Sequence, residues 1–542
     1  MADISERSGI HVLLLPYPSQ GHINPILQFG KRLAAHGGVR CTLAATRFVL
    51  SDSQPCPGDA IRIAAISDGC DRGGRAEADT AAAYLSRLES AGSETVDQLL
   101  RSEAEQGRPV DVLVYDAFLP WAQRVARRRG VPSTAFFTQP CAVDVVYAHA
   151  WAGRVQPPLV GEEPVELPGM SLGLRPVDMP SFLADSSGCP AHLDLLVSQF
   201  DGLHTADHVL VNSFYELQPQ ESDYMASTWR AKTVGPTVPS AYLDNTLPED
   251  TSYGFHLYTP QTATTKAWLD SMPPRSVVYA SFGSIAAPTA VQMAEVAEGL
   301  YNSGKPFLWI VRASETCKIP DKFADKAKER GLVVTWSPQL EVLAHPAVGC
   351  FMTHCGWNST TEGLSAGVPM VAMPQWSDQP VNAKYIEDVW RVGVRVRPDK
   401  DGVVRNQEVE RCVREVMDGD RSMDYQQNAA EWKEKARKAM SEGGSSDNNI
   451  IEFLGKLGLK FGKRLVAHRG VQCTLAVTRF VLGQSGQPPP GGAVHIAAIS
   501  DGCDRSGFGE AGGIEAYMAR LESAGSGTLG ELFRSEVGQG RP

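Results

Sequence analysis

Two series of short apolar segments, each alternating with helical patterns, constrain the fold of this chain more than any other feature. The segments are continuous runs rich in Val, Ile and Leu, which is typical of parallel strands buried on both faces of a sheet. The first series consists of HVLLLPY, CTLAAT, IRIAAIS, VDVLVYD, STAFFT and HVLVNS. The second consists of SVVYASF, FLWIVR, GLVVTW, CFMTH, PMVAM and VGVRV. The sequence therefore predicts an α/β protein with two doubly wound domains that face a cleft, where ligands bind beyond the carboxyl ends of the strands.

The length of 542 residues suits two large domains with additional segments. A polar, proline-containing stretch, GPTVPSAYLDNTLPEDTSYG, separates the two series and is typical of a linker. We predict a first domain at 1–243, a linker at 244–262 and a second domain at 263–436. Terminal helices are expected at 437–459, and a separate segment follows at 460–542.

An internal repeat defines that last segment. Residues 29–50 recur at 461–482, and the match continues from Ile63–Arg72 to Ile496–Arg505 and ends at RSEVGQGRP. Because a single diverged copy is not a repeat array, we interpret the segment as a truncated duplicate of residues 28–109. It lacks copies of HVLLLPY and VDVLVYD, so we expect it neither to close a core of its own nor to contribute to function. We attribute it to fusion with a neighbouring tandem gene or to an error in the gene model.

Charge and cysteine usage exclude several classes of function. The net charge of −11 argues against a binder of nucleic acids or anionic membranes. The 11 cysteines form no CxxC pair and suit free thiols in a reducing compartment, which predicts a cytoplasmic protein. The first apolar run, Val12–Leu15, is too short for a signal peptide or a membrane span, so no stable membrane insertion is expected. Asp399-Lys400-Asp401 precedes Gly402 and is typical of a surface turn rather than of a metal site.

The most specific stretch of the chain runs from Trp336 to Gln379 and reads WSPQLEVLAHPAVGCFMTHCGWNSTTEGLSAGVPMVAMPQWSDQ. In length, in order and at both ends it resembles the signature box of plant family 1 UDP-sugar glycosyltransferases. Together with LPYPSQGHINPILQFGKRL, it most resembles the subgroup that acts on small carboxylic acids, phenols and terpenoid toxins. The resemblance covers residues 10–458 and implies a GT-B fold, in which two Rossmann-like domains face a cleft. It also implies transfer of a sugar from UDP-glucose without a metal or another cofactor.

A nucleotide site is expected where strands end in the second domain. Trp336 ends the strand GLVVTW, and Ser337-Pro338 is typical of an N-cap and a first helical residue. An indole at a strand end can stack on a uracil, and the resemblance assigns that role to Trp336, with Gln339 beside it. It assigns Glu362 to the two ribose hydroxyls, since a carboxylate suits a cis-diol. Taken alone, a tryptophan at the edge of the core and a solvated glutamate would be the simpler interpretations.

The segment CFMTHCGWNST predicts a strand, a glycine turn and the start of a helix. Gly356 permits a tight backbone, and a helix N-terminus offers free N–H groups at the positive end of its dipole, which suits a diphosphate. By resemblance, His354, Asn358 and Ser359 contact the phosphates, and Ser284 reaches the other phosphate. The alternative is a strand–turn–helix junction with a structural role only.

Sugar contacts are expected at the end of the signature box. The resemblance assigns Asp378 and Gln379 to sugar hydroxyls, with help from Trp357 and, in the first domain, Thr138. A carboxylate beside an amide suits neighbouring equatorial hydroxyls. In the family, glutamine at the last position usually accompanies glucose and histidine often accompanies galactose, so UDP-glucose is the expected donor.

A histidine after the first strand is the candidate general base. Asn24 before Pro25 is typical of a helix cap, which predicts that His22 lies in the loop between strand and helix and faces the cleft. An imidazole can take a proton from a hydroxyl at neutral pH, and a carboxylate on its other nitrogen would fix the tautomer. The resemblance makes His22 that base and Asp116, at the end of VDVLVYD, its partner. Without the resemblance, a lone loop histidine would more simply be structural.

The sequence thus predicts an inverting glucosyltransferase that moves glucose from UDP-glucose to a hydroxyl or carboxyl of a small lipophilic acceptor, and that acts as a monomer. The alternative is a catalytically impaired pseudoenzyme that binds nucleotide sugars and carries a fused tail. The acceptor is expected in the first domain, where apolar side chains could line a pocket or simply fill the core. These are Phe118, Phe137, Tyr147, Met179 and Phe182.

Overall fold

The computed structural model describes residues 9–53, 61–185, 189–255, 258, 260–321, 323–467, 473–479, 494–505, 519–520, 523–524, 527–529 and 531. The chain forms two compact units, Met1–Ser446 and Asp447–Pro542. The domain boundaries drawn from the sequence stay predictions.

Strands and helices alternate through the first unit. Its strands are β1 (Ile10–Leu15), β2 (Val39–Thr46), β3 (Ile61–Ile66), β4 (Val112–Asp116), β5 (Ser133–Phe137), β6 (His208–Val211), β7 (Lys232–Thr233), β8 (Val277–Ser281), β9 (Phe307–Ile310), β10 (Gly331–Val334), β11 (Val348–Thr353), β12 (Met370–Ala372) and β13 (Gly393–Arg395). The α-helices are α1 (Gln20–Ala34), α2 (Arg47–Asp52), α3 (Ala81–Glu105), α4 (Trp121–Arg128), α5 (Cys141–Trp151), α6 (Ser181–Ala184), α7 (Pro190–Ser198), α8 (Pro219–Trp229), α9 (Thr262–Asp270), α10 (Ala290–Asn302), α11 (Phe323–Ala327), α12 (Gln339–Ala344), α13 (Trp357–Ala366), α14 (Gln379–Lys384), α15 (Asn406–Asp418) and α16 (Ser422–Met440), and α17 (Ser445–Ala467) follows. Short 3₁₀ helices lie at Gly74–Glu77, Pro176–Asp178, Leu203–Thr205, Tyr215–Leu217, Ser240–Tyr242 and Ala313–Lys318, and a π-helical turn lies at Tyr385–Val389.

Two parallel sheets confirm the predicted α/β architecture. The first has the order β3-β2-β1-β4-β5-β6-β7 and the second has the order β10-β9-β8-β11-β12-β13. Each predicted apolar segment contains a strand, because strands covered by helices on both faces have no polar side and stand out as continuous apolar runs. Strand β7 was not predicted, since its two residues, Lys232 and Thr233, are too few to show a pattern.

In each sheet the winding reverses at one place, and both places matter for the site. The order reverses between β1 and β4 in the first sheet and between β8 and β11 in the second. Loops that follow neighbouring strands diverge at such a point and leave a crevice beyond the carboxyl ends. The segments after these four strands contain His22, Ala117, Ser284 and His354. The topology therefore predicts a ligand crevice at these loops.

Polar contacts join the two sheets' domains within the first unit. In four of them, a side chain of the second domain donates to a main-chain carbonyl of the first: Asn358 Nδ2 to Gly21 O (2.9 Å), Trp357 Nε1 to Asn212 O (2.6 Å), Trp390 Nε1 to Leu217 O (3.2 Å) and Arg395 Nη2 to Val177 O (3.1 Å). The Arg395 guanidinium also pairs with the fully buried Asp178 carboxylate at 2.7 Å. Since buried polar groups need partners, these contacts fix the domains in one arrangement.

The second unit repeats the local fold of the segment that it duplicates. Strands β14 (Cys473–Thr478) and β15 (Val494–Ile499) form a parallel pair whose register, Cys473↔Val494, is the one that Cys41↔Ile61 has in β2 and β3. The closing RSEVGQGRP match lies outside the described residues. The helix expected to end near residue 459 instead continues to Ala467 as α17, because the duplicate begins with KFGKRLVA, whose counterpart lies in α1.

Candidate active site

A cavity of 810 Å³ opens at the carboxyl ends of both sheets. In the first domain its walls come from the segments after β1, β2, β3, β4 and β5 and from α3, α6 and α7. In the second domain they come from the segments after β8, β10, β11 and β12, and the segment that links the domains completes them. All of the residues predicted to bind UDP or the sugar line it. Among the predicted catalytic pair, His22 lines the cavity and Asp116 lies behind it, completely buried.

His22 and Asp116 form a close pair. The Nδ1 atom of His22 lies 2.7 Å from Asp116 Oδ2, and the imidazole is only 17% exposed. Because Asp116 occupies Nδ1, the Nε2 atom is the one left to accept a proton from a ligand. The hydroxyl of Thr138 lies 3.1 Å from the same Nδ1. The rings of Tyr17 and Phe118 pack against the imidazole at centroid distances of 5.2 and 4.6 Å.

The backbone fixes the Asp116 carboxylate. Its Oδ2 accepts from the Tyr17 N–H at 3.3 Å, and its Oδ1 accepts from the Phe118 N–H at 3.0 Å. Two main-chain donors and the imidazole together satisfy the hydrogen-bonding capacity of a carboxylate that has no access to water. The pair is therefore arranged to hold one imidazole tautomer and to stabilise an imidazolium.

The predicted position of the first helix was wrong. Helix α1 begins at Gln20 with Ser19 as its N-cap, so His22 lies in the first helical turn and Asn24 is not a cap. Pro25 is inside the helix, and its missing N–H leaves the carbonyl four residues earlier, that of Gly21, without a helical partner. The Asn358 side chain of the second domain donates to this carbonyl at 2.9 Å. The proline thus creates a contact between the domains one residue away from His22.

Trp336 lies just beyond the end of β10, with its indole at the cavity. The ring of Tyr258 stacks on it at a centroid distance of 4.3 Å and an angle of 29°. The helix predicted to start at Pro338 starts at Gln339 instead, because Pro338 has extended backbone and is itself the N-cap. The hydroxyl of Ser337 lies 3.4 Å from the Tyr279 hydroxyl.

Glu362 is almost completely buried and uses both of its oxygens. Its Oε1 accepts from the Tyr253 hydroxyl at 2.8 Å, and its Oε2 accepts from Gln339 Nε2 at 2.6 Å. Burial raises the pKa of Glu362 to about 7, although the bonds from Gln339 and Tyr253 oppose that rise. Gln339 itself is held by the Tyr279 hydroxyl, which donates to its Oε1 at 3.1 Å. A carboxyl with this pKa is ionised only in part at neutral pH.

The N-terminus of α13 points a set of free N–H groups at the cavity, and His354 lies beside it. Burial lowers the pKa of His354 to about 4, so the ring is neutral at physiological pH, and its Nδ1 is buried without a hydrogen-bond partner among the described residues. Gly356 matters for a different reason than predicted. Its φ of −60° suits any residue, but a Cβ at Gly356 would collide with the His354 ring. A Cβ at Gly283 would collide with the same ring, because it would lie 2.6 Å from His354 Nε2. The left-handed residue of the turn is Cys355, with φ of 64°.

The remaining predicted phosphate contacts also lie at this end of the cavity. Ser359 accepts from Gln339 Nε2 at 2.8 Å, and Asn358 faces Gly21. The Ser284 carbonyl accepts from Arg312 and, at 3.3 Å, from the Tyr258 hydroxyl. These bonds fix the loop after β8 in place.

The end of the signature box also lines the cavity. The Gln379 side chain accepts two backbone N–H groups, from Gln375 at 2.8 Å and Trp376 at 3.0 Å, which leaves its amide N–H groups for a ligand. Asp378 accepts from Asn382 Nδ2 at 2.6 Å, and burial raises its pKa to about 6. The indole N–H of Trp357 is already bonded to Asn212, so its free backbone N–H at the start of α13 is the group left for a sugar.

Known proteins are similar to this chain over all or nearly all of their length. A family model for UDP-glucuronosyl and UDP-glucosyl transferases matches residues 245–432. The UDP-glucosyltransferase UGT13248 of Hordeum vulgare subsp. vulgare is 53% identical over 450 residues, which are 82% of this chain and 94% of that protein. The crystal structure of Os79 from O. sativa in complex with UDP is 50% identical, has a TM-score of 0.78, and covers 82% of this chain and 100% of its own. The structure of Phytolacca americana UGT2 with UDP-2fluoro-glucose and pterostilbene is 26% identical, with a TM-score of 0.71, over 83% of this chain and 100% of its own.

This chain belongs to the plant family 1 UDP-glycosyltransferases. The family resemblance drawn from the signature box is confirmed, and so is the GT-B fold. The members it matches are enzymes, and nothing in the site of this glycosyltransferase favours the alternative of an impaired binding protein.

The predicted acceptor pocket is only partly where the sequence placed it. Of the five candidates, Phe118 and Phe182 line the cavity of the glycosyltransferase. Phe137, Tyr147 and Met179 do not line it, since they are buried in the core of the first domain. The pattern could not separate the two groups, because strand β5 and helix α5 are buried on every side and their apolar residues look alike.

Several residues that line the cavity were not predicted from the sequence, and Arg75 is the most informative of them. Among the described residues that line the cavity, it is the only Lys or Arg. Gly74, with φ of 56°, lets this segment approach Phe48, and Arg75 Nη1 donates to the Ala78 carbonyl at 2.8 Å. The repeat offered a signal, because the matching position of the duplicate is Phe508. A cation at this position is therefore a departure from an otherwise similar segment.

The remaining acidic motif is a turn, as predicted. Asp399 Oδ1 accepts from the N–H groups of Asp401 and Val403 at 2.9 and 3.0 Å, and Gly402 has φ of 76°. In the part of the chain that the structure describes, no three or more His, Cys, Asp or Glu side chains are grouped to hold a metal ion. No helix in that part is long and apolar enough to cross a membrane.

Proposed function

We propose that this glycosyltransferase moves glucose from UDP-glucose to a hydroxyl or carboxyl of a small lipophilic acceptor, with inversion at the anomeric carbon. The observation that carries this proposal is the His22–Asp116 pair at 2.7 Å, which faces the same cavity as the N-terminus of α13. One side of the cavity can thus activate an acceptor while the other receives a leaving diphosphate.

In the reaction, the acceptor oxygen attacks the anomeric carbon as its proton passes to His22 Nε2. The bond from that carbon to the phosphate oxygen breaks, and its electron pair leaves with UDP. Asp116 stabilises the imidazolium that forms, since a charge pair in a buried site is stronger than one in water. Attack from the face opposite to UDP gives a β-glucoside, or a β-glucose ester when the acceptor is a carboxylate.

The leaving UDP gains its negative charge next to groups that are already oriented. The free N–H groups of α13 act on a phosphate through hydrogen bonds and the helix dipole. His354 contributes as a neutral donor rather than as a cation, because its pKa is lowered to about 4. We assign Trp336 to the uracil, Glu362 and Gln339 to the ribose, and Ser284, Asn358 and Ser359 to the phosphates. The mechanism needs no divalent metal, so EDTA should leave the rate unchanged.

Asp378, Gln379, Thr138 and the backbone of Trp357 are proposed to bind the sugar. The amide of Gln379 offers donors where the buried Asp378 offers acceptors, and this combination supports glucose as the sugar.

The walls of the cavity on the acceptor side support a lipophilic acceptor. Phe118, Phe182, Leu195 and Leu196 supply apolar surface, and Arg75 supplies a positive charge that suits an acidic acceptor such as a carboxylic acid or an acidic phenol. Solved relatives carry comparable molecules: Os79 has been crystallised with a trichothecene and UGT2 with pterostilbene.

We also propose a cytoplasmic monomer. The cysteines that the structure describes as free thiols support a reducing compartment; they are Cys41, Cys70, Cys141, Cys189, Cys317, Cys350, Cys355, Cys412 and Cys503. Light scattering during size-exclusion chromatography would measure the oligomeric state.

Purified protein should release UDP from UDP-glucose when phenols and aromatic acids are added, and the product should have a β anomeric proton by NMR. His22→Ala should bind UDP normally but transfer glucose to an aliphatic alcohol about 10²–10⁴ times more slowly. If no acceptor in a broad panel stimulates UDP release, or if the variant remains fully active, the proposed function is wrong.

A further inference from the structure

The segment that links the two domains is firmly attached to the helix that carries His22. Asp250 of this linker accepts from Gln28 and, at 2.9 Å, from Lys31 Nζ, both on α1. The guanidinium of Arg32, also on α1, forms two bonds with Asp244 at 2.6 and 2.7 Å. These side chains are nearly or completely buried, so the linker has a fixed position on the first domain.

From this anchor the linker reaches into the donor side of the cavity. Tyr253, three residues after Asp250, donates its hydroxyl to Glu362 at 2.8 Å. Tyr258 stacks on Trp336 at 4.3 Å. Two linker tyrosines therefore contact the two residues that we assign to the ribose and the uracil.

The bond from Tyr253 leaves room for a ribose. An ionised carboxylate has about four acceptor positions, two on each oxygen. Tyr253 occupies one on Oε1 of Glu362 and Gln339 occupies one on Oε2. One position remains free on each oxygen, and this number matches the 2′ and 3′ hydroxyls of a ribose. A protonated carboxyl would lose that match, because one oxygen would become a donor.

We propose that Tyr253 is a positioning residue for the ribose of the donor: its hydroxyl holds Glu362 in the orientation and the anionic form that can accept both hydroxyls of a ribonucleotide. The linker thereby contributes to the choice of ribose over deoxyribose, although it belongs to neither sheet. This inference rests on the proposed role of Glu362 in donor binding.

The surroundings of Glu362 agree with this role. Burial is the main reason that its pKa is raised to about 7, and Gln339 and Tyr253 lower it. The titratable groups around the carboxyl are Tyr253 from the linker and Tyr279 from β8, and Asp250 acts on Tyr253. Burial and Glu362 raise the pKa of Tyr253 well above its ordinary value, so its hydroxyl remains a donor at every pH of interest.

The test compares UDP with 2′-deoxy-UDP by calorimetry in full-length protein. For Tyr253→Phe at pH 7.5, we expect the preference for UDP over 2′-deoxy-UDP to fall about tenfold, the size of one hydrogen bond to a charged group. Loss of the hydroxyl raises the pKa of Glu362 further, so the variant should lose UDP affinity at a higher pH than the wild type as the pH is lowered from 9 to 6. A residue that only filled space would weaken both nucleotides equally and leave the pH profile unchanged.

Tyr301→Phe is the matched control, because it removes another tyrosine–glutamate bond of the same domain, from the Tyr301 hydroxyl to Glu329 at 2.7 Å, outside the cavity. It should leave the nucleotide preference unchanged. In a Glu362→Gln background, Tyr253→Phe should have no further effect on the preference. If Tyr253→Phe does not fold, the wild-type preference for UDP should still fall with Glu362 protonation below about pH 7.

An unchanged UDP preference in Tyr253→Phe, or an equal effect of this substitution with and without Glu362, would overturn the inference. Binding is measured without an acceptor, so this result is independent of glucose transfer. If the Tyr253 effect is present but no acceptor is glucosylated, only the proposed function fails. If glucose is transferred but the preference does not change, only this inference fails.

Discussion

Replacing Asp116 by Asn tests the catalytic pair with little change of shape. The Asn carbonyl oxygen can still accept from the Phe118 N–H, which lies 3.0 Å from Asp116 Oδ1. The new NH₂ group would then face His22 Nδ1, which in the wild type lies 2.7 Å from Asp116 Oδ2. An imidazole that accepts on Nδ1 must carry its proton on Nε2, which is the wrong tautomer for a base.

The size of the effect follows from the geometry of the pair. When His22 takes up a proton, its charge and that of Asp116 are separated by about 4 Å, which at an effective dielectric constant of about 20 corresponds to about 4 kcal/mol. The pair is shielded from water, since Asp116 is fully buried and His22 is 17% exposed, so no large discount for screening applies. At about 1.4 kcal/mol for each factor of ten, kcat should fall about 10³-fold for an alcohol acceptor.

UDP release measured at pH 7.5 with an aliphatic alcohol and with a carboxylic acid would check this value. The acid is already ionised and needs no base, so its rate should fall less than tenfold by the same argument. Asp111→Asn is the control, because it makes the same change at the other end of β4, where Asp111 accepts from the His11 N–H at 2.8 Å. Equal losses for both acceptors, or an Asp116→Asn enzyme that retains a third of its activity on the alcohol, would refute the reasoning.

Four further predictions concern the donor site, the acceptor site and the tail. Gln379→His should shift the ratio of UDP-glucose to UDP-galactose use about tenfold towards galactose, because an imidazole cannot keep both backbone bonds of the amide and also face the sugar; an unchanged ratio in a competition assay would remove Gln379 from sugar recognition. The pKa of Glu362 is raised in the folded state, so its ionisation destabilises the protein as the pH rises from about 4.5 to 7. Between pH 5 and 8, Glu362→Gln should therefore gain about 3 kcal/mol of unfolding free energy relative to the wild type, measured by urea denaturation without nucleotide. A difference in unfolding free energy that stays constant with pH would contradict this. Arg75→Gln should raise KM for an aromatic acid about tenfold more than for its methyl ester, whereas Arg72→Gln, outside the cavity, should raise neither. Truncation after Leu459 should leave activity and melting temperature intact, and loss of either would make the tail part of the enzyme.

The strands of this enzyme could be read from its sequence, but the helix starts could not. Continuous apolar runs survive in any parallel sheet, so a local pattern is sufficient to find β1 or β11. The start of α1 depends on a contact that is distant in sequence, since Pro25 is tolerated inside the helix where Asn358 satisfies the freed carbonyl of Gly21. No local rule contains that information.

The same limit applies to the site. His22, Asp116 and the residues of the signature box could be named in advance because their motifs are specific. Tyr253 could not, because it lies in a polar linker without periodicity, and its role depends on how Asp250 anchors the linker to α1. The sequence also could not show that Phe118 lines the cavity whereas Phe137 lies in the core. Phe118 follows a buried strand and Phe137 ends one, so only the fold determines which ring is at the cavity.

Three of the bonds from side chains of the second domain to carbonyls of the first, those of Asn358, Trp357 and Trp390, have an evolutionary consequence. Every sequence supplies main-chain carbonyls, so the acceptors at Gly21, Asn212 and Leu217 survive almost any substitution of the residues that bear them. A gene segment for a new N-terminal half can therefore recombine with an old C-terminal half and keep these three contacts, provided that it has a proline at position 25 and, for the buried pair with Arg395, a carboxylate at position 178. Lineages that reuse one donor half with many acceptor halves need no compensating changes at this part of the junction.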